Sequence, residues 1–337
     1  MGQARRPRLN LARPWSGETY YGLPPLKPAP WKWMVSGYVY LAGLAGAAQV
    51  LAGIAQHLDP RRWRGMVRHA RYLSAVGTAA GAVLLIADLR TPRRWYNMLR
   101  ILRPTSPMSV GSYILSAFGA FSGITALGEM LRGRGRAGRL AEGAANLAQV
   151  PAAIAGAGAA TYTASILAAT SSPLWAAAPR HLGALFATSA TAMAAAALSL
   201  GERWAGRREN SRRLDDVAAV ATAAHLGVSF ALQRRWRNAG VSRPIHGTPS
   251  KRLLVTGDVV LAGVVPLSAY AINRLGGNRM PAVSVVGSLA LIAGGYALRH
   301  GLMRAGMESA KRPASYFASA QPEHLPRRYR HRVGDGR

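Results

Sequence analysis

Three titratable side chains stand inside long apolar stretches of this 337-residue chain: Glu129, His225 and Asp258. Asp258 is the deepest, flanked by Leu253-Leu254-Val255 and by Val259-Val260-Leu261. An unpaired charge at the centre of a bilayer costs about 2.5–3.5 kcal/mol or more, so this carboxylate must be paired, protonated or near water. Such groups are candidates for a proton path, and an imidazole changes charge near physiological pH. A histidine simply hydrogen-bonded within the packing is the alternative for His225. Redox metals find little to hold them. The chain has no Cys, hence no thiolate ligands for an iron–sulfur cluster and no disulfide. His225 is the only histidine well inside an apolar run, with His181 and His300 at edges, so a bis-histidine haem lacks ligands on this chain.

A second concentration of chemistry lies between 84 and 119, which read LLIADLRTPRRWYNMLRILRPTSPMSVGSYILSAFG. Asp88 closes one apolar run. Arg90, Arg93, Arg94 and Asn97 follow, and Pro104 and Pro107 precede the next run. Ordinary loops are less dense in aromatic and polar residues, so a folded connection at membrane level is expected. Simple interfacial anchoring, with Asp88 in a loop salt bridge to Arg94, is the alternative.

Spanning helices must position these residues. Half the chain is hydrophobic, yet it carries 43 Lys and Arg against 13 Asp and Glu, a net charge of +30. The charge is crowded into clusters such as Arg61-Arg62-Trp63-Arg64, and apolar runs of helix-spanning length lie between them. Nucleic-acid binding needs its cations gathered on one face; here they recur at loop spacing, which suits anionic lipid headgroups. The spans are expected at 34–56, 70–88, 109–131, 144–168, 182–200, 217–232, 253–272 and 281–298.

The predicted fold is therefore an all-α polytopic membrane protein of about eight transmembrane helices in two four-helix bundles, residues 34–170 and 182–303, joined by 171–181. A Pro-rich surface segment, 1–33, precedes them, with Trp31 and Trp33 suited to the headgroup level. A basic tail, 304–337, follows and is expected to be loosely ordered unless a partner holds it. Nothing at the N-terminus reads as a cleavable signal peptide. Gly43 and Gly46 in the first span and Gly156 and Gly158 in the fourth predict close helix packing, and Pro266 predicts a kink in the seventh. With eight spans both termini share a side. That side holds the larger share of Lys and Arg, but most of its margin over the other side comes from the last tail, which leaves orientation open.

The 84–119 run resembles the signature of the NrfD/PsrC family, the polysulfide reductase-type membrane subunits of molybdopterin and iron–sulfur oxidoreductases. Further stretches agree: Tyr21-Gly22-Leu23-Pro24, Trp31-Lys32-Trp33 and Leu41 to Gly46 resemble the family's first helix. TYTASILAATSSPLW, from Thr161 to Trp175, resembles its fourth-helix Tyr-Thr-Gly-x-Leu-Leu segment and the Pro-x-Trp that follows. Gly263 and Pro266 match the seventh helix more weakly. The resemblance implies a quinone or quinol pocket near one membrane face, beneath a ferredoxin-like iron–sulfur subunit that relays electrons to or from a catalytic, molybdopterin-type subunit.

Carried over residue by residue, Tyr162 falls on the family's fourth-helix tyrosine at the quinone headgroup. Asp88 matches the acid of the Asp-Leu-Gly-Arg-Pro pattern, which here reads Asp88-Leu89-Arg90-Thr91-Pro92. Tyr38 stands where some members carry a first-helix histidine. A quinone headgroup needs hydrogen-bond donors for its carbonyls and a proton route, and its tail needs an apolar slot. Tyr38, Asp88 and Tyr162 would supply the polar part, since odd spans begin and even spans end on one face. Arg90, Arg93, Arg94 and Asn97 would face the partner. Two other readings compete: a secondary transporter, for which Asp258 and Pro266 in one helix speak but no repeat between the halves does, and a structural anchor with a degenerate quinone site.

Overall fold

The computed structural model describes residues 24–242 and 246–320. Eight of its helices are long and apolar enough to cross a membrane: α1 (Trp33–Leu58), α2 (Arg64–Asp88), α3 (Pro107–Leu131), α4 (Gly135–Ala168), α5 (Pro179–Trp204), α6 (Arg208–Asn238), α7 (Pro249–Leu275) and α8 (Pro281–Lys311). No strand occurs among the described residues. The chain is a multi-pass, all-α membrane protein.

Local chemistry explains the helix ends. Pro107, Pro179, Pro249 and Pro281 open α3, α5, α7 and α8, where a missing N–H costs nothing and the fixed φ is already helical. Thr248 caps α7 by accepting from the Lys251 N–H at 3.2 Å. Gly206 and Gly240, at φ 76° and 74°, turn the chain out of α5 and α6 in a conformation other residues avoid.

Successive helices run antiparallel, so α1, α3, α5 and α7 begin at one end of the bundle, here termed proximal, and the even helices finish there. Small residues set the packing. A Cβ on Gly156 of α4 would stand 2.7 Å from the Gly46 carbonyl oxygen of α1, and one on Gly257 of α7 would stand 2.6 Å from the Ala297 backbone of α8. The close helix packing expected from these glycines is therefore present, and the structure makes α1 and α4 partners in it.

Several helices outrun their apolar stretches. α4 begins at Gly135, α6 runs from Arg208 to Asn238, and α8 continues to Lys311 with Ala305, Gly306, Ser309 and Ala310 buried. The expectation of loose order after 303 is corrected for these residues. Gly306 lets Trp175 pack against α8, and a further helix, Pro313–Ala320, follows. The rest of the tail, 321–337, and the N-terminal 1–23, with Tyr21-Gly22-Leu23, lie outside the described residues.

The 171–181 connection is a packed element, not a free linker. It holds the short helix Pro173–Ala176, whose Trp175 is wholly buried and donates its indole N–H to the Leu302 carbonyl at 3.1 Å. Trp236 of α6 donates to the Leu174 carbonyl at 2.7 Å. Trp31 is half-buried and stacks on Trp175 with ring centroids 5.4 Å apart, whereas Trp33 is exposed.

Candidate functional site

An apolar cavity of about 440 Å³ lies between α1, α2 and α3 toward the proximal end. Tyr38 and Ala42 line it from α1, Gly81 and Leu85 from α2, and Leu115 and Phe118 from α3. The sequence makes this space by spending small residues on facing helices. Gly77, Gly119 and Gly123 also line it, and a Cβ on Gly81 would already be in contact with the Tyr38 ring at 3.7 Å.

Four hydroxyls border the cavity. Those of Thr78, Ser112 and Ser116 donate to carbonyls one turn back on their own helices, to Ser74 at 2.7 Å, Met108 at 3.0 Å and Ser112 at 2.9 Å. The Tyr38 hydroxyl is buried and has no hydrogen-bond partner among the described residues. An unsatisfied buried hydroxyl is costly unless a ligand or water engages it.

The 84–119 run is folded, as its density predicted. After α2, residues Pro92–Leu99 form a 3₁₀ helix that lies over the cavity, with Trp95, Met98 and Leu99 in its lining. The Tyr113 hydroxyl donates to the Leu99 carbonyl at 2.8 Å, and Ser109 Oγ donates to the Ile101 carbonyl at 3.2 Å, tying this cover to α3. Arg90, Arg93, Arg94 and Asn97 are all exposed on its outer side. Asp88 ends α2 half-buried, two residues beyond the cavity-lining Ile86. It makes no salt bridge to Arg94 or to any other described residue.

Tyr162 reaches the same end of the bundle from α4 but does not line the cavity. Its ring lies against Gly111 of α3, where any side chain would collide with it, and it packs beside the hydrophobic cluster that includes Tyr38. Thus the three residues expected around one headgroup share a proximal region, and Tyr38 alone lines the cavity itself.

Glu129 belongs to a buried polar network at the distal end. Its carboxylate pairs with Arg71 of α2 at 2.7 Å, both side chains nearly free of solvent contact. Arg71 also donates to Gln149 at 2.9 Å, Gln56 at 3.0 Å and Asn146 at 3.1 Å. Gln49 donates to Thr125 at 3.2 Å. A polar vestibule of about 360 Å³, lined by Arg61, Arg64, Arg132 and Glu142, leads to Arg71, which lies one helical turn from the cavity-lining Ala75. Sequence reading missed Arg71 because it sits at the polar start of an apolar run. Gln49, Gln56, Asn146 and Gln149, at helical spacing within otherwise apolar helices, were the available signal.

His225 and Asp258 meet in the other half of the molecule, with Nε2 2.9 Å from Oδ1. Arg299 of α8, also missed, is buried and has no carboxylate partner among the described residues. It donates to its own Gly295 carbonyl at 3.0 Å and lies over the Phe186 ring at 5.3 Å, while its Nε and Nη2 have no hydrogen-bond partner among the described residues. Position 299 lies just past the last expected span, so hydropathy assigned it to an interface.

A search of curated proteins returned no match to the chain. The family model described as "Polysulphide reductase, NrfD" matches residues 25–309. Members of that family are in general quinone-interacting membrane anchors of oxidoreductase complexes, with iron–sulfur and molybdoenzyme subunits as partners. The match runs from the residues just before α1 almost to the end of α8, and on it this eight-helix membrane protein belongs to the polysulphide reductase NrfD family.

Proposed function

We propose that this chain exchanges electrons between the membrane quinone pool and a peripheral iron–sulfur subunit of a molybdopterin-type oxidoreductase, serving also as that complex's anchor. The observation that carries the reading is the Tyr38 hydroxyl, which alone of the four bordering a largely apolar slot of about 440 Å³ has no hydrogen-bond partner among the described residues. A slot of that size and polarity suits a quinone headgroup with the start of its tail. A bound quinone would supply the two-electron, two-proton chemistry; the protein supplies position and protons.

In this reading Tyr38 donates a hydrogen bond to a headgroup carbonyl. Asp88, half-buried beyond Ile86, exchanges protons at the proximal surface. Tyr162 contributes from α4, across the point where α3 is thinned to Gly111. Arg90, Arg93, Arg94 and Asn97 form the docking surface for the iron–sulfur subunit, over a cover that keeps water from the slot. Glu129, His225 and Asp258 remain proton-path candidates, now as two separate stations, one in each four-helix unit (34–170 and 182–303).

The test is to purify the chain with its native partners, extract bound quinone, and follow reduction of the partner's clusters by a quinol analogue. Wild type should yield quinone and react. Tyr38→Phe and Tyr162→Phe should keep the complex intact and react slowly. A complex with neither bound quinone nor quinol-driven reduction would leave a structural anchor.

A further inference from the structure

We propose that His225 and Asp258 form a proton-binding site in the second half of the bundle, loaded from the proximal side through Ser229 and Gln233. This inference stands apart from the quinone slot, which lies among α1, α2 and α3.

The side chains of His225 and Asp258 are 1% and 5% exposed. Although Nε2 and Oδ1 are 2.9 Å apart, neither atom makes a hydrogen bond among the described residues. The other ring nitrogen, Nδ1, has no partner among the described residues. A structural ion pair in low dielectric repays its desolvation only when the geometry is good and the remaining polar atoms are satisfied. Here they are not. The arrangement suits a site whose proton content changes: a carboxylate facing a neutral imidazole, or the same pair holding one more proton.

The backbone is built around this pair. Residues Thr256–Val264 of α7 are π-helical, a form that is rare and concentrates at functional sites. Pro266 follows directly and lacks the N–H that an α-helix would donate to the Ala262 carbonyl, which favours the wider turn. Gly257 lets this wider segment lie against Ala297 and Leu298 of α8.

A route leads outward in one direction. The Ser229 hydroxyl donates to Asp258 Oδ2, and the Gln233 amide reaches Ser229 Oγ at 3.5 Å. Gln233 and Thr256 line a chamber of about 470 Å³ at the proximal end, with Arg237, His246, Lys251 and Arg252 around it. Toward the distal side, Leu226 fills the space at Gly263, and Tyr270 packs with Ala195 and Ala218. Among charged groups, Lys251 on α7 lies within electrostatic range of Asp258, and Arg237, Arg252 and His246 line the chamber with it. α8 lies against the π-helical segment with Ala297 and Leu298 at Gly257 and with Gly294 at Leu261 and Ala262, and Arg299 lies over Phe186 of α5.

The step moves one proton and no electrons. A proton taken up from the proximal aqueous phase and relayed through chamber water at Gln233 passes to the Ser229 oxygen as the Ser229 hydroxyl proton passes to Asp258 beside His225, so that no hydroxide is left behind. Infrared difference spectroscopy of the intact complex in nanodiscs, titrated with pH, tests this. Wild type should show a protonated-carboxyl band that titrates and shifts in D₂O. Asp258→Asn should lose it, His225→Gln should shift its titration, and Gln233→Leu should slow its deuterium exchange. Tyr38→Phe should leave it unchanged, so failure of the quinone reading would be seen separately. A wild-type spectrum with no titrating carboxyl band removed by Asp258→Asn would overturn the proposal. So would exchange indifferent to Gln233→Leu. If Asp258→Asn fails to assemble, the band's response to His225→Gln decides.

Discussion

The Arg71 guanidinium meets the Glu129 carboxylate at 2.7 Å within the first half of the bundle, and neither side chain is more than 3% exposed. Two partners that hydropathy separates, one at the start of α2 and one near the end of α3, thus form the centre of a polar network. Removing one member of a buried pair costs about 3–5 kcal/mol when the remaining charge is left uncompensated, and Arg132, 3.5 Å from the Glu129 carboxylate, offsets part of that here. Arg71→Met should therefore lower the thermal midpoint of the purified protein sharply. Arg71→Met with Glu129→Met should recover most of the loss.

Arg299 makes the opposite prediction. Its cation is desolvated without an anionic partner among the described residues, where a carbonyl, a ring face and the Met193 sulfur at 3.8 Å offset that in part. Arg299→Met should raise the thermal midpoint. A Cβ on Gly43 would stand 2.7 Å from Arg299 Nη2, so Gly43→Ala should destabilise wild type and be tolerated beside Arg299→Met. Equal effects of Gly43→Ala in both backgrounds would show that the guanidinium is not what it meets.

The α1–α4 seam should be intolerant of size. Gly156→Leu drives a branched side chain at the Gly46 backbone and should cost about 1–3 kcal/mol or more, because neither backbone can yield. Gly123, with open space around its would-be Cβ, should accept Ala without loss. Thermal unfolding in one detergent compares the two.

Tyr38→Phe removes one donor from the slot and little else. The loss of a single hydrogen bond, about 0.5–1.5 kcal/mol, should raise the quinol concentration for half-maximal cluster reduction roughly two- to tenfold. Gly119→Leu, which fills the slot instead, should reduce the quinone that co-purifies. Unchanged quinone content in Gly119→Leu would move the site elsewhere.

Reversing the exposed charges of Arg90, Arg93 and Arg94 to Glu should leave the bundle's thermal midpoint unchanged, since none of the three is buried. It should weaken capture of the iron–sulfur subunit, with the effect greatest at low ionic strength. Capture that is indifferent to all three reversals would take the docking surface off this loop.

Much of the architecture was legible one residue at a time. Length and hydropathy determine the eight spans, because a backbone in hydrocarbon must satisfy its own hydrogen bonds and a helix does so locally. Glycines at Gly46 and Gly156 announced close packing, and the dense run from 84 to 119 announced a folded cover. What depends on helix rotation and tertiary neighbours was not legible. Burial of Arg71 and Arg299, extension of α6 and α8 through their charged turns, and the packed 171–181 connection each need a partner surface that local hydropathy does not describe. The same holds for function. Asp88, Tyr38 and Tyr162 were readable as one end of the bundle, but only tertiary packing decided that Tyr38 alone lines the cavity. His225 and Asp258 were readable as isolated groups, and only the rotation of α6 against the π-helical turn of α7 decided that they form a pair.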